Sequence, residues 1–305
     1  MRELVAVTGA FGFIGKYIAR LLISQGQHVI TLTNKRLQAA SIGEMITVYP
    51  LDFTQPEALT AALRNVDTLY NTYWVRFNYA QTTFERAIQN TQALIQAAHR
   101  ACVRRIVHIS IANPSIDSPL PYYRGKALLE QYIQQSGIPH AIIRPTVVFG
   151  LEDVLINNIA FFLRYLPIFA IPGSGRYRIQ PIFVEDLADL AVQAGQSAEN
   201  QVIDAVGPDI FTYKFLVRLI AEAIGSHSLI IHLPPGIALT LSRLIGFAVR
   251  DVVLTKDELD GLMADLLVSR EPPLGKTSLR EWLASNADIC GARYASELQR
   301  NYSTQ

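Results

Sequence analysis

The sequence predicts an α/β fold, a doubly wound parallel sheet followed by a smaller, mainly helical C-terminal subdomain. Three observations carry this. Short apolar runs alternate with helix-period segments through the first 150 residues. The runs are too uniformly apolar to face water on either side, as in parallel strands covered by helices on both faces. A glycine-spaced loop stands directly between the first run and the first helical segment, where such sheets bind ligands.

The elements follow in order. Leu4–Thr8 is an apolar strand, and Ile14, Ile18, Leu21 and Leu22 mark a helix that Gly26 stops. Strands are expected at His28–Thr33 and Ile46–Leu51, a helix at Pro56–Leu63 and a strand at Thr68–Tyr70. Phe84–Cys102 is a long amphipathic helix with Ile88, Ala93, Ile95 and Ala98 on it, and Arg105–Ser110 and His140–Arg144 are further strands. Beyond Gly150 the alternation weakens into a Pro- and Gly-rich stretch, Pro167 to Gly175, and helical patterns after Phe211. The expected division is 1–150, with 179–206 returning to it, against 151–178 and 207–305.

Composition removes several function classes. Charged residues are 17% of the chain, against about 25% in an average soluble protein, and hydrophobic residues are half, so the chain is not disordered. A net charge of +1 gives no electrostatic case for nucleic acid. Two cysteines, Cys102 and Cys290, make neither a disulfide framework nor a four-ligand metal site, and no metal is expected at His227 and His232. A mean hydropathy of +0.20 asks for a large core or an apolar surface. The N-terminus has no basic segment followed by a long apolar one, so no secretory signal is expected and the location is expected to be cytoplasmic. The apolar segments Ile159–Ile171 and Leu229–Val249 are too interrupted to span a bilayer; they are expected in the core first, and one could instead lie on a membrane or a partner subunit. The oligomeric state is left open.

Gly9, Gly12 and Gly15 give the loop its chemistry. The first makes the tight turn, the second lets backbone approach a pyrophosphate, and the third lets helix and strand pack closely. The amides around Phe11, Phe13 and Ile14, at the start of the helix, then face an anion. In its strand–loop–helix setting this is a Rossmann-type dinucleotide-binding signature. No Asp or Glu occurs between Glu3 and Glu44, so the carboxylate that would bond the ribose of NAD is missing. Asn34, Lys35 and Arg36 stand there instead, and the cationic pair would favour a 2′-phosphate, hence NADP(H) over NAD(H). The alternative is that Lys35 and Arg36 form a solvated loop. Asp52 could accept from an adenine amino group with Phe53 beside the ring, or cap the following helix.

Tyr122 and Lys126 lie four apart behind Pro121, so on a helix they share a face. An ammonium beside a phenol stabilises phenolate, so the pair can exchange a proton with a carbonyl or alcohol. These motifs, with Ile143-Arg144-Pro145-Thr146-Val147-Val148-Phe149-Gly150, resemble the short-chain dehydrogenase/reductase superfamily in its extended or atypical, epimerase/dehydratase-like branch. The longer segments Asn71–Phe77, Pro119–Lys126 and Gln180–Ala188 resemble bacterial proteins similar to the NAD(P)H-binding accessory subunit of respiratory complex I.

The resemblance implies roles. Tyr122 would be the acid/base, Lys126 would lower its pKa and bind ribose, Asn90 would help hold the lysine and a water, and Pro145 would shelter the nicotinamide. It also implies a Ser or Thr just past the fifth strand, where Ile111 and Ala112 fall, leaving Ser110 or Ser115 as substitutes out of register. Loss of one such donor costs about 100- to 1,000-fold in rate. Tyr73 and Trp74, after the fourth strand, replace small residues and would narrow the nicotinamide end, line an apolar pocket, or belong to the core. The function expected is an NADP-dependent oxidoreductase on an apolar carbonyl, alcohol or quinone-like substrate, in a pocket between the glycine-loop domain and residues after Gly150. The alternative is a non-catalytic NADPH-binding subunit or redox sensor of a larger, membrane-associated assembly.

Overall fold

A computed structural model describes residues 3–34 and 45–302. The chain divides into two compact units, residues 1–145 with 184–205, and residues 146–183 with 206–305. The returning segment therefore starts five residues later than the sequence suggests, and the first break falls at Pro145 instead of Gly150.

The first unit is a seven-stranded parallel sheet. Its strands are β1 (Leu4–Thr8), β2 (His28–Leu32), β3 (Ile46–Tyr49), β4 (Thr68–Asn71), β5 (Arg105–Ile109), β6 (His140–Pro145) and a last one, β11 (Gln201–Ala205), reached after the excursion into the second unit. The spatial order is β3-β2-β1-β4-β5-β6-β11, so the winding reverses between β1 and β4. Ligands bind at such a reversal, outside the carboxyl ends of the strands. Side chains alternate across the sheet. Ala6, Ile30, Leu32, Leu69, Ile106 and Ile142 belong to one buried cluster with residues of α2 (Pro56–Ala62), α3 (Phe84–Arg100) and α4 (Pro121–Gln135). On the other face α1 (Phe13–Ser24) packs with α6 (Val184–Gln196). Gly195 of α6 is required there, because a Cβ would fall 2.1 Å from the Tyr70 hydroxyl of β4. β2 and β3 end earlier than their apolar patterns suggest, at Leu32 and Tyr49.

The second unit holds a core of its own around Phe149, Phe162, Ile171, Leu216 and Trp282. Its helices are α5 (Leu155–Tyr165), α7 (Tyr213–Ala223), α8 (Pro235–Val249), α9 (Lys256–Met263) and α10 (Leu279–Asn286), with a π-helical turn at Leu298–Tyr302. Three two-stranded ribbons accompany them, which the helical reading of this half did not anticipate. They pair β7 (Val148–Phe149) with β10 (Ile182–Phe183), β9 (Arg178–Ile179) with β12 (Phe211–Thr212), and β8 (Ile168–Pro172) with β13 (Leu229–Leu233). The strands of the first two ribbons are two residues long, too short for period-2 patterning to register, while β8 and β13 are continuous apolar runs that periodicity alone does not tell from helix. The amides of Asn157 and Asn158 on α5 clamp the C-terminal loop in both directions: each Nδ2 donates to a loop carbonyl, of Arg293 and Ala295, and each Oδ1 accepts a loop amide, of Gly291 and Ala295. Among the described residues no helix is long and apolar enough to cross a membrane.

Candidate functional site

The glycine loop crosses the carboxyl end of β1 as its spacing requires. Gly9 has φ +66°, the left-handed region where a side chain is strained. A Cβ on Gly15 would stand 2.3 Å from the Gly9 carbonyl oxygen, and one on Gly12 3.1 Å from the same atom, so α1 can approach the loop only with glycine at 15. Thr31 braces the turn, donating to the Val7 carbonyl (2.7 Å) and accepting the Ala10 amide (3.1 Å). Gly12 is the N-cap of α1, with no side-chain cap and no acidic residue in the first turn. The first-turn amides of Phe13, Ile14 and Gly15 lack intrahelical acceptors by helix geometry and carry the positive end of the dipole. This cradle fits the pyrophosphate of a dinucleotide.

Beside it Asn34 binds the chain after β3 in both directions. Its Nδ2 donates to the Leu51 carbonyl (2.8 Å) and its Oδ1 accepts the Leu51 amide (3.0 Å). The side chain is thereby spent on holding the Leu51–Phe53 turn against the end of β2. Asp52 accepts from the Thr54 amide and hydroxyl (2.9 and 2.7 Å) and from Gln55 Nε2 (3.0 Å). The Thr54 hydroxyl and then its amide hold the Asp52 carboxyl below its usual pKa. The N-cap of α2 is Gln55, so Asp52 shapes the turn before the helix and is not the N-cap itself. Lys35 and Arg36 lie outside the described residues.

Across the sheet reversal, Thr8 joins this end to the next. Its hydroxyl donates to Asn71 Oδ1 (3.1 Å) and accepts the amides of Thr72 (2.8 Å) and Tyr73 (3.2 Å). Asn71 Nδ2 in turn meets His108 Nδ1 at 3.0 Å. His108 is fully buried, and burial, with the nearby Lys126 charge, keeps its pKa well below the ordinary value. Neutral His108 accepting at Nδ1 carries its proton on Nε2, which has no partner among the described residues. His108 is thus satisfied on one side only.

Tyr122 and Lys126 do share a face of α4. Trp74 lies on that face, its ring edge-on to Tyr122 at 5.7 Å and 4.5 Å from Lys126 Nζ. Phe84 stacks behind Trp74 (6.0 Å) and also meets Tyr122 edge-on. Gly125 makes room, since a Cβ there would already meet Trp74 at 3.1 Å and Ile88 at 3.2 Å. Lys126 is 2% exposed and donates to the Ile109 carbonyl (2.8 Å). Burial lowers its pKa to about 7, against a partial offset from Glu130 one helical turn on.

The other sequence-derived groups are engaged elsewhere. Ser110 donates to Glu130 Oε1 (2.5 Å), and Arg144 closes on the same carboxylate from Nε and Nη2 (3.0 and 2.5 Å). Asn90 donates to the Tyr73 hydroxyl (2.8 Å), and the Tyr73 ring packs on Phe53 at 4.9 Å. Ala112 is fully buried, its amide bonded to the Pro145 carbonyl (2.8 Å), which fixes the end of β6 against the chain after β5. The structure thus brings together the glycines with Thr8 and Thr72, and Asn34 with Asp52 and Phe53. It joins Tyr122 and Lys126 through Trp74, while Asn90 bonds Tyr73 and Ser110 bonds Glu130. Thr8, Asn71, Glu130 and the position of Trp74 over Lys126 escaped the sequence reading, because each depends on which strands are neighbours.

Comparison with known proteins agrees with this architecture. The chain is 25% identical over 283 residues to Arabidopsis thaliana NADH dehydrogenase (ubiquinone) 1 alpha subcomplex subunit 9, mitochondrial, covering 86% of this chain and 70% of that one. It is 20% identical over 273 residues to the Neurospora crassa NADH-ubiquinone oxidoreductase 40 kDa subunit, covering 87% and 72%. Among solved structures, Citrobacter sp. triphenylmethane reductase superposes with a TM-score of 0.75 at 19% identity, over 93% of this chain and 98% of that one. The Escherichia coli NADPH-dependent quinone oxidoreductase superposes with a TM-score of 0.73 at 20% identity, over the same shares. The profile of the NAD dependent epimerase/dehydratase family matches residues 5–206, and the chain belongs to that family, with its NAD(P)-binding fold.

Proposed function

We propose that this protein binds NADP(H) as a resident ligand and does not turn it over, serving as a nucleotide-binding subunit or redox sensor of a larger assembly. The observation that carries this is Lys126, 2% exposed, with its ammonium spent on the Ile109 carbonyl and covered by the Trp74 ring. A lysine so placed has no free face for a ribose. The hydroxyl and amide that would complete a proton relay serve Glu130 and Tyr73. The glycine cradle, by contrast, keeps every feature that anion binding needs. Two relatives are named as subunits of an NADH–ubiquinone oxidoreductase, which supports a role inside an assembly. The absence of any carboxylate between Glu3 and Glu44, and the presence of Lys35 and Arg36, support NADP(H) over NAD(H).

A second reading, reduction of an apolar carbonyl or quinone-like compound, is favoured by Tyr122, which is only half-buried at the edge of its aromatic cluster. Fold relatives named as a triphenylmethane reductase and an NADPH-dependent quinone oxidoreductase point the same way.

One set of measurements separates the two. Purified protein is titrated with NADPH and NADH by calorimetry, then followed for NADPH oxidation with quinones, aldehydes and ketones. Tight NADPH binding with no oxidation supports the resident-ligand reading. Oxidation that Tyr122→Phe abolishes overturns it. Lys35→Ala combined with Arg36→Ala is expected to weaken NADPH binding about 10- to 100-fold, as loss of charge-assisted bonds does, and to leave NADH unchanged. Equal loss for both nucleotides would remove the case for NADP(H).

A further inference from the structure

Among the described residues, helix α8 leaves one apolar face exposed. Ile237, Leu241 and Leu244 are 55%, 37% and 66% exposed, and Phe247 is 90% exposed. Spacings of three and four put them on one stripe, with Ala248 continuing it. The opposite side is built of small residues, Ala238, Ser242 and Gly246, which are buried. Gly246 is needed there, since a Cβ would lie 2.5 Å from the Asp251 carbonyl oxygen. Ile245 and Val249 pack on the core beside these small residues, yet four large apolar side chains still face outward, where an ordinary surface helix carries polar ones. No acidic residue occurs from Pro234 to Arg250. Arg243 is exposed beside the stripe, and Arg250, also exposed, ends the helix as its C-cap in the left-handed conformation.

We propose that α8 is an interfacial helix that lies on an anionic lipid surface, with Ile237, Leu241, Leu244 and Phe247 entering the acyl boundary and Arg243 and Arg250 meeting the headgroups. Fifteen helical residues are about 22 Å long, enough to lie in the interface and too short to span it. Charge chooses this occupant, since a segment with Arg243 in the helix, Arg250 at its end and no carboxylate of its own complements anionic headgroups. Area argues against a second copy. At about 200 Å² for a fully exposed side chain of this size, four at these fractions offer roughly 500 Å². Each partner in a stable protein interface contributes about 800 Å². The proposal is independent of whether bound nucleotide is turned over.

The test is flotation of the intact chain with vesicles of phosphatidylcholine alone and of phosphatidylcholine mixed with phosphatidylglycerol. The expected result is flotation with the mixed vesicles that weakens as salt is raised. Leu244→Glu and Phe247→Glu should each lower partitioning about tenfold or more, as loss of one buried large apolar side chain does. Arg243→Gln with Arg250→Gln should lower binding to the mixed vesicles only. Because these side chains are exposed, melting temperature and nucleotide affinity should stay unchanged, which separates loss of lipid binding from loss of fold. Absence of flotation with either vesicle, or equal flotation of Phe247→Glu, overturns the proposal. So does a concentration-dependent dimer, found by sedimentation equilibrium without lipid binding, that Phe247→Glu abolishes.

Discussion

The two ends of the sheet crest treat their polar groups in opposite ways. At the glycine-loop end, backbone donors of the first helical turn stay available, and side chains such as Thr31 and Asn34 serve only to hold the loop and its neighbour in place. At the Tyr122–Lys126 end, the polar groups are consumed internally: Lys126 by a carbonyl and an indole, Ser110 by a carboxylate, Asn90 by a phenol. Anion binding needs backbone amides and close packing, and both survive. Proton transfer needs side chains with a free lone pair or proton at an open surface, and these have been drawn into the core. That difference is what the proposed resident-ligand reading rests on, and the half-buried Tyr122 is what the enzymatic reading rests on.

The sharpest test of the first end is Gly15→Ala. Its Cβ must displace a backbone oxygen at 2.3 Å, so about 3 kcal/mol of stability and all measurable NADPH binding should be lost, by denaturant titration and calorimetry. Near-normal binding would mean the loop is not a close-packed cradle. Thr8→Val tests the joint between the two ends. It keeps shape but leaves the Thr72 and Tyr73 amides without that acceptor, for an expected loss of about 2 kcal/mol in urea unfolding.

Lys126→Met tests the second end through pH. In the folded state Lys126 titrates near 7, and in the unfolded chain near the ordinary lysine value, so between the two the unfolded chain binds the extra proton. Stability should therefore rise with pH by about 1 kcal/mol per unit from about pH 7.5 to 9. Lys126→Met should flatten that rise; an unchanged slope would mean the ammonium is hydrated after all. The smallest effect is expected for Tyr122→Phe, under about 0.5 kcal/mol in stability, because the ring contacts with Trp74 and Phe84 remain. A larger loss would assign the hydroxyl a role that the aromatic packing does not require.

Local chemistry made some of this readable in advance. Gly9, Gly12 and Gly15 act through their own backbone and their immediate neighbours, so their spacing alone located the turn and the helix start. Tyr122 and Lys126, one helical turn apart, were equally plain as a pair. Their surroundings were not. Trp74 reaches Lys126 from a loop after β4, and Glu130 collects Ser110 and Arg144 from β5 and β6, contacts that exist only once strands far apart in the chain become neighbours. The C-terminal half divides in the same way. Ile159–Ile171 and Leu229–Val249 are alike in composition, yet Ile159, Phe162, Leu163 and Ile171 are buried while Leu244 and Phe247 face outward.

Sequence by itself determined the doubly wound sheet, the dinucleotide loop and the place of Tyr122 and Lys126 on one helix, because these rest on periodicity and on spacings of a few residues. Tertiary structure alone decided that the lysine lies under a tryptophan and that one apolar helix turns Ile237, Leu244 and Phe247 outward. Burial is set by what the rest of the chain brings to a side chain, and that is not written in the side chain's own neighbours along the sequence.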